Sequence, residues 1–138
     1  PSINLAISLN ATTDAVRNEI MPIAKTYPLK MLMAACRKYP LQPGRRITFE
    51  YVVIRDKNDS IEDAARLTNL VKGIRCKVNL IPFNPFPGSE FERPSDDRII
   101  EFQKVLLRHN VRALIRESRG KDIQAACGQL RASSYLRK

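Results

Sequence analysis

The sequence predicts an α/β fold of mostly parallel strands, and three observations carry that prediction. Four apolar, β-branched runs, near 3–9, 47–54, 76–83 and 111–116, are separated by stretches with helical spacing. The intervals between those runs are long enough for right-handed crossovers, which makes neighbouring strands parallel. With 138 residues and 43% hydrophobic content, the chain can fill one modest core, so 1–138 is read as a single unit.

The run at 3–9 is apolar enough for a strand buried on both faces, and Ser8, Leu9 and Asn10 fall where it would end. Thr12, Thr13 and Asp14 offer caps for a short helix reaching Ile20, which Pro22 stops. Pro28 suits a first helical turn, and Leu29, Leu32, Met33 and Cys36 then repeat at helical spacing as far as Tyr39. Pro40, Pro43 and Gly44 make a turn before I-T-F-E-Y-V-V-I, the clearest strand in the chain. Glu50 lies inside that strand, where a carboxylate needs company. Two readings stay open for it: the mouth of a ligand site, or a pair with a neighbouring arginine.

After a polar loop at 56–59, Ser60 and Asp63 form a capping box that opens an amphipathic helix running towards Gly73. The strand at 76–83 runs into N-P-F-P-G, a loop stiffened by two prolines and a glycine, with Asn84 at the strand's end. Ser95 caps a helix to about Leu107, and a last strand follows. Parallel sheets of this kind place ligands at the C-terminal ends of their strands. Asn10, Asn84 and the loop from Arg116 to Lys121 would all fall there.

The formal charge is +10, from 24 Lys and Arg against 14 Asp and Glu, which favours an anionic partner and most simply nucleic acid. The excess is concentrated from Arg108 to the C-terminus, where Glu117 and Asp122 are the only acids. No apolar run approaches the roughly 18 residues of a membrane span, and no secretory signal is visible, so a cytoplasmic protein is expected. Cys36, Cys76 and Cys127 are odd in number and widely separated, neither a disulfide framework nor a metal-binding spacing. The one histidine, His109, ends a helical pattern and reads as a surface residue. The chain starts at Pro1, directly before a strand-like run, and reads as a piece of a longer one.

The segment 119–130, R-G-K-D-I-Q-A-A-C-G-Q-L, sets Cys127 before a helix-breaking Gly128 and close to Arg119 and Lys121. Nearby cations favour a thiolate, so this cysteine is placed for chemistry. A small residue packed under a turn is the other reading of the same features.

Together with N-L-I-P-F-N-P-F-P-G at 79–88 and L-A-I-S-L-N-A at 5–11, that segment resembles the radical S-adenosylmethionine (SAM) enzymes that methylate carbon 2 of adenine in 23S ribosomal RNA and transfer RNA. The resemblance runs through the chain in the family's order and covers the family's C-terminal part. It implies part of an incomplete (β/α) barrel, with SAM and a 4Fe-4S cluster at the C-terminal ends of the strands. It implies SAM contacts from Ser8, Leu9 and Asn10, with Asn10 standing where the family has histidine, and a further contact from Asn84. Cys127 matches the cysteine that carries a methyl group and delivers it, after hydrogen abstraction, to an adenine carbon too electron-poor to attack SAM directly.

Arg116, Arg119 and Lys121 are expected to hold RNA phosphates beside that cysteine. The cluster's C-x-x-x-C-x-x-C ligands are absent, so the full-length protein is expected to be the enzyme and these 138 residues alone to be inactive. A part-barrel exposes sheet edges, which favours self-association. Two alternatives remain: the sister class that methylates carbon 8 and confers antibiotic resistance, and a non-catalytic basic α/β module that binds RNA or a partner.

Overall fold

The computed structural model describes residues 5–22 and 27–117. Four strands, β1 (Ala6–Ser8), β2 (Ile47–Val53), β3 (Cys76–Pro82) and β4 (Arg112–Ile115), form one sheet in the order β1-β2-β3-β4. Every pairing is parallel. Helices α1 (Asp14–Ile20) and α2 (Leu29–Lys38) both occupy the first crossover, and α3 (Ile61–Leu70) and α4 (Asp96–Arg108) fill the next two. The expected parallel α/β order is therefore present, with strands slightly shorter than their apolar runs.

Alternation along β2 and β3 divides the core in two. Phe49, Tyr51, Val78 and Leu80 point to the helical layer, where Met33, Leu67, Phe102 and Leu106 cover them. Tyr51 and Phe102 meet there with ring centroids 5.3 Å apart. Val52, Ile54, Ile81 and Phe83 belong to the opposite, inner face, and near the strand ends they pack with Ile20 and Met21 of the α1 region and with Phe91. Burying such aliphatic and aromatic side chains contributes roughly 1.5–3 kcal/mol each.

The caps are largely those expected. Ser60 and Asp63 form the capping box of α3, and the Ser95 hydroxyl accepts from the Arg98 amide at the start of α4. Thr13 caps α1 by accepting from Val16 N. Asp14 instead accepts from Leu29 N at 2.7 Å and so caps α2. Pro28, with ψ of 149°, stands at the N-cap and not inside the first turn of α2, because its extended backbone precedes the helix.

One expectation is corrected. The first strand is not buried on both faces: among the described residues β1 is an edge strand paired only with β2, and Ala6 is exposed.

Candidate functional site at the strand ends

The chain leaves β1 through a fixed turn. The Leu9 amide donates to Glu50 O at 2.9 Å, extending the parallel ladder one residue past the strand. Asn10 then adopts φ of 60°, a left-handed conformation that asparagine tolerates better than most residues. Its Oδ1 accepts from Val52 N at 2.8 Å, its Nδ2 donates to Met21 Sδ at 3.2 Å, and its carbonyl accepts from Asn58 Nδ2 at 2.8 Å.

Asn58 ties the neighbouring strand end into the same knot. Its Nδ2 also donates to Val52 O and its Oδ1 accepts from Ile54 N, each at 2.7 Å. Arg17 closes the other side, donating from Nε to Leu9 O at 2.9 Å and from Nη2 to Ser8 O at 3.2 Å. Leu9 is fully buried and Asn10 nearly so. Of the three residues at the β1 exit expected to touch SAM, only Ser8 has a half-buried side chain without such commitments.

Ser8 belongs to a polar row across the sheet. Register pairs it with Glu50, Glu50 with Asn79, and Asn79 with Leu114. Paired residues of a parallel sheet share a face, here the inner one, which carries Val52 and Ile81 one step further on. Among the described residues no ion pair reaches Glu50, so the arginine pairing left open for it is not formed there. Asn79 is 8% exposed, and its Oδ1 is buried without a hydrogen-bond partner among the described residues. A buried carbonyl oxygen lacking a donor costs roughly 1–3 kcal/mol, which marks this face as one suited to receive polar groups.

The exit of β3 forms a second cluster. Asn84 is half-buried, and its Oδ1 accepts from Arg93 Nη1 at a long 3.4 Å, which leaves its amide free to donate. Arg93 grips Glu117 with two parallel bonds of 2.9 Å and reaches Asp96 at 3.3 Å. One guanidinium thus joins the exits of β3 and β4 to the start of α4. Hydrogen bonding from Arg93 holds the Glu117 carboxyl below its ordinary range, and the bond to Glu117 raises the arginine's own value. In the loop itself, Phe83 stacks edge-on with Phe91 at 5.9 Å and packs against Phe86 at 6.0 Å.

Arg116 is exposed at the end of β4, with its amide donating to Leu80 O. Cys127, Arg119 and Lys121 lie outside the described residues. Cys36 and Cys76 are free thiols buried in the helical layer, and burial pushes Cys76 up to about 11. Cys76 opens β3, at the end of the strand away from Asn84, so it is remote from the strand exits. Among the described residues no group of three or more His, Cys, Asp or Glu could hold a metal ion. His109 is exposed, and its Nδ1 donates to Val105 O at 2.8 Å, the tautomer following from that acceptor. Among the described residues no helix is long and apolar enough to cross a membrane.

Sequence reasoning passed over Arg17, Asn58 and Arg93. An arginine in a short helix just after a strand carries no mark of the carbonyls that it will meet. Asn58 had a weak signal, since asparagine in a short polar loop after a strand often bonds nearby backbone.

Comparison with known proteins decides the kinship. The chain is 59% identical over 129 residues to the dual-specificity RNA methyltransferase RlmN of Syntrophotalea carbinolica, covering 94% of this chain and 35% of that protein. It is 56% identical over 130 residues to RlmN of an Anaeromyxobacter species, covering 94% of this chain and 34% of that protein. The chain is similar to one segment of these RlmN proteins. It spans about a third of the length of these RlmN relatives.

A solved radical SAM methyltransferase from Sphaerobacter thermophilus is 49% identical, with a TM-score of 0.82 over 94% of this chain and 38% of that one. A domain of pyruvate-formate lyase-activating enzyme from Bacteroides vulgatus shares the fold at a TM-score of 0.61 and 14% identity, over 81% of this chain and 66% of that one. The sheet is thus part of a radical SAM barrel. No protein-family model matches the chain.

Within this RlmN-like segment the donor and acceptor set fits SAM. Ser8 and the Asn84 amide are presented at the strand ends, and Asn79 offers an unpartnered oxygen on the same inner face. The described residues do not fit a cluster, because both of their cysteines are buried on the helical side.

Proposed function

We propose that this chain is part of a radical SAM enzyme that methylates carbon 2 of adenine in 23S ribosomal RNA and transfer RNA. The observation that carries the reading is the likeness to a radical SAM methyltransferase along nearly the whole chain, at 49% identity and a TM-score of 0.82. The RlmN relatives, at 59% and 56% identity, supply the RNA and the dual specificity.

Ser8 and Asn84 bind SAM directly in this reading, while Leu9 and Asn10 act through the backbone of the β1 exit. Bound SAM would supply methyl groups and, at a 4Fe-4S cluster held by residues outside this chain, a radical. Cys127 accepts a methyl group on its sulfur and presents it to adenine, for which a thiolate is the suitable nucleophile. Arg116, Arg119 and Lys121 hold RNA phosphates beside it. The working compartment is the cytoplasm, and the isolated chain is inactive and self-associates through its exposed sheet edges.

The test is methyl transfer by the full-length, cluster-loaded enzyme to a ribosomal RNA fragment and to a transfer RNA. Methyl on carbon 2 of adenine, abolished by Cys127→Ala, is the expected result. Methyl on carbon 8 would put the protein in the sister class, and no methyl on either RNA would leave a binding module.

A further inference from the structure

We propose that Arg17 is a positioning residue for SAM binding: its buried guanidinium fixes the carbonyls of Ser8 and Leu9 and couples that strand end to the start of α2. The inference rests on the reading that SAM binds where β1 ends. Arg17 sits on α1 and is 7% exposed. It donates to Leu9 O at 2.9 Å, to Ser8 O at 3.2 Å and to Tyr27 O, two residues before α2, at 3.3 Å.

All three acceptors are main-chain carbonyls. No carboxylate lies within ion-pair distance of Arg17 among the described residues. A buried cation hydrogen-bonded only to dipoles, with Asp14 attracting it from beyond ion-pair distance, is an expensive way to close a loop, since burying a charge costs several kcal/mol before such interactions offset it. An apolar side chain in its place would leave the carbonyls of Ser8, Leu9 and Tyr27 without this donor, at roughly 1–3 kcal/mol for each one kept from water. What an apolar side chain cannot do is set the direction of two successive carbonyls. Arginine's planar fork does so, because its donors diverge at fixed angles.

The peptide planes of residues 8 and 9 determine where the Ser8 side chain and the Asn10 turn face. The Asn10 side chain does not hold them, since its two polar ends are turned to Val52 and Met21. The link to Tyr27 makes the arrangement two-sided. Ordering residues 8–10 by a ligand should also order the entry to α2.

The test compares wild-type and Arg17→Lys full-length, cluster-loaded enzyme. SAM affinity is measured by calorimetry without reductant, RNA affinity is measured in parallel, and hydrogen exchange is followed with and without SAM. Lysine keeps the charge but not the fork. The expected result is SAM binding weakened about tenfold, with RNA affinity within twofold of wild type. In the wild type, SAM should slow exchange both at residues 8–10 and at 27–31, and the second effect should vanish in the variant. Equal SAM affinity in the two proteins would overturn the inference. If the variant does not fold, the wild-type exchange decides: protection confined to 8–10 would overturn it. Failure of the wild type to bind SAM at all would instead overturn the proposed function.

Discussion

Asn10 Oδ1 accepts the Val52 amide proton at 2.8 Å, so a side chain leaving one strand completes the ladder of the next. The backbone at Asn10 is left-handed, and the residue is almost wholly buried. Asn10→Ala would strand the Val52 amide and place a Cβ-bearing residue without local hydrogen bonds at positive φ. The expected loss is about 2–4 kcal/mol, from an unsatisfied buried donor and backbone strain. Urea unfolding of the full-length protein measures it. A loss below about 1 kcal/mol would mean that the turn re-forms without its asparagine.

Tyr51 reaches across the same region, its hydroxyl donating to Asn58 O at 2.7 Å inside the core. Burial holds the phenol well above its ordinary pKa, so it stays a donor through the alkaline range. Tyr51→Phe keeps the stacking on Phe102 and removes only that bond. A destabilisation of about 1 kcal/mol is expected, read as a lower urea midpoint with unchanged slope.

The Arg93–Glu117 pair gives stability a specific acid limb. Hydrogen bonding from Arg93 depresses the Glu117 carboxyl from its ordinary 4.5. A depressed carboxylate contributes stability that is full above its unfolded value and is lost as pH falls through the folded one. Glu117→Gln should therefore lower stability at pH 7 and converge on wild type once the pH is low enough to protonate the folded carboxyl. The glutamate side chain is 52% exposed, so solvent screening limits the effect at pH 7 to about 1 kcal/mol. A variant that matches wild type at pH 7 as well as at low pH would show that Arg93 gains nothing from this partner.

The two described cysteines should be poor nucleophiles in the native protein. Burial raises both thiols, Cys76 to about 11, so at pH 8 the Cys76 thiolate fraction is on the order of one in a thousand. Iodoacetamide should label Cys36 and Cys76 at least about 100-fold more slowly than an unfolded thiol does. Labelling at the free-thiol rate would mean that the helical layer opens readily.

RNA binding offers an electrostatic test at an exposed residue. Arg116→Ala in the full-length enzyme should reduce the slope of log affinity against log salt by about one. An unchanged slope would remove Arg116 from the RNA surface.

The element order was legible because period-2 and period-3.6 patterns are local, and a capping box such as Ser60–Asp63 announces a helix start within four residues. Glu50 was legible only as a question, since register and not sequence sets it between Ser8 and Asn79. The Asn79 oxygen left without a donor had no sequence signal at all. Arg17 and Arg93 were hidden for a related reason: their acceptors are main-chain carbonyls or distant carboxylates, brought near only by tertiary packing. Asn10 was read as a ligand contact because it stands in a matching motif, whereas its side-chain bonds run inward to Val52 and Met21.

The central claim is that Cys127 carries a methyl group, and the mass of one tryptic peptide tests it most directly. Cleavage after Lys121 and Arg131 releases residues 122–131, in which Cys127 is the one cysteine. In full-length protein purified from its own cells, the account predicts that peptide with one methyl on the cysteine sulfur. A bare thiol throughout, in protein that holds its cluster and has been supplied with SAM, would contradict it.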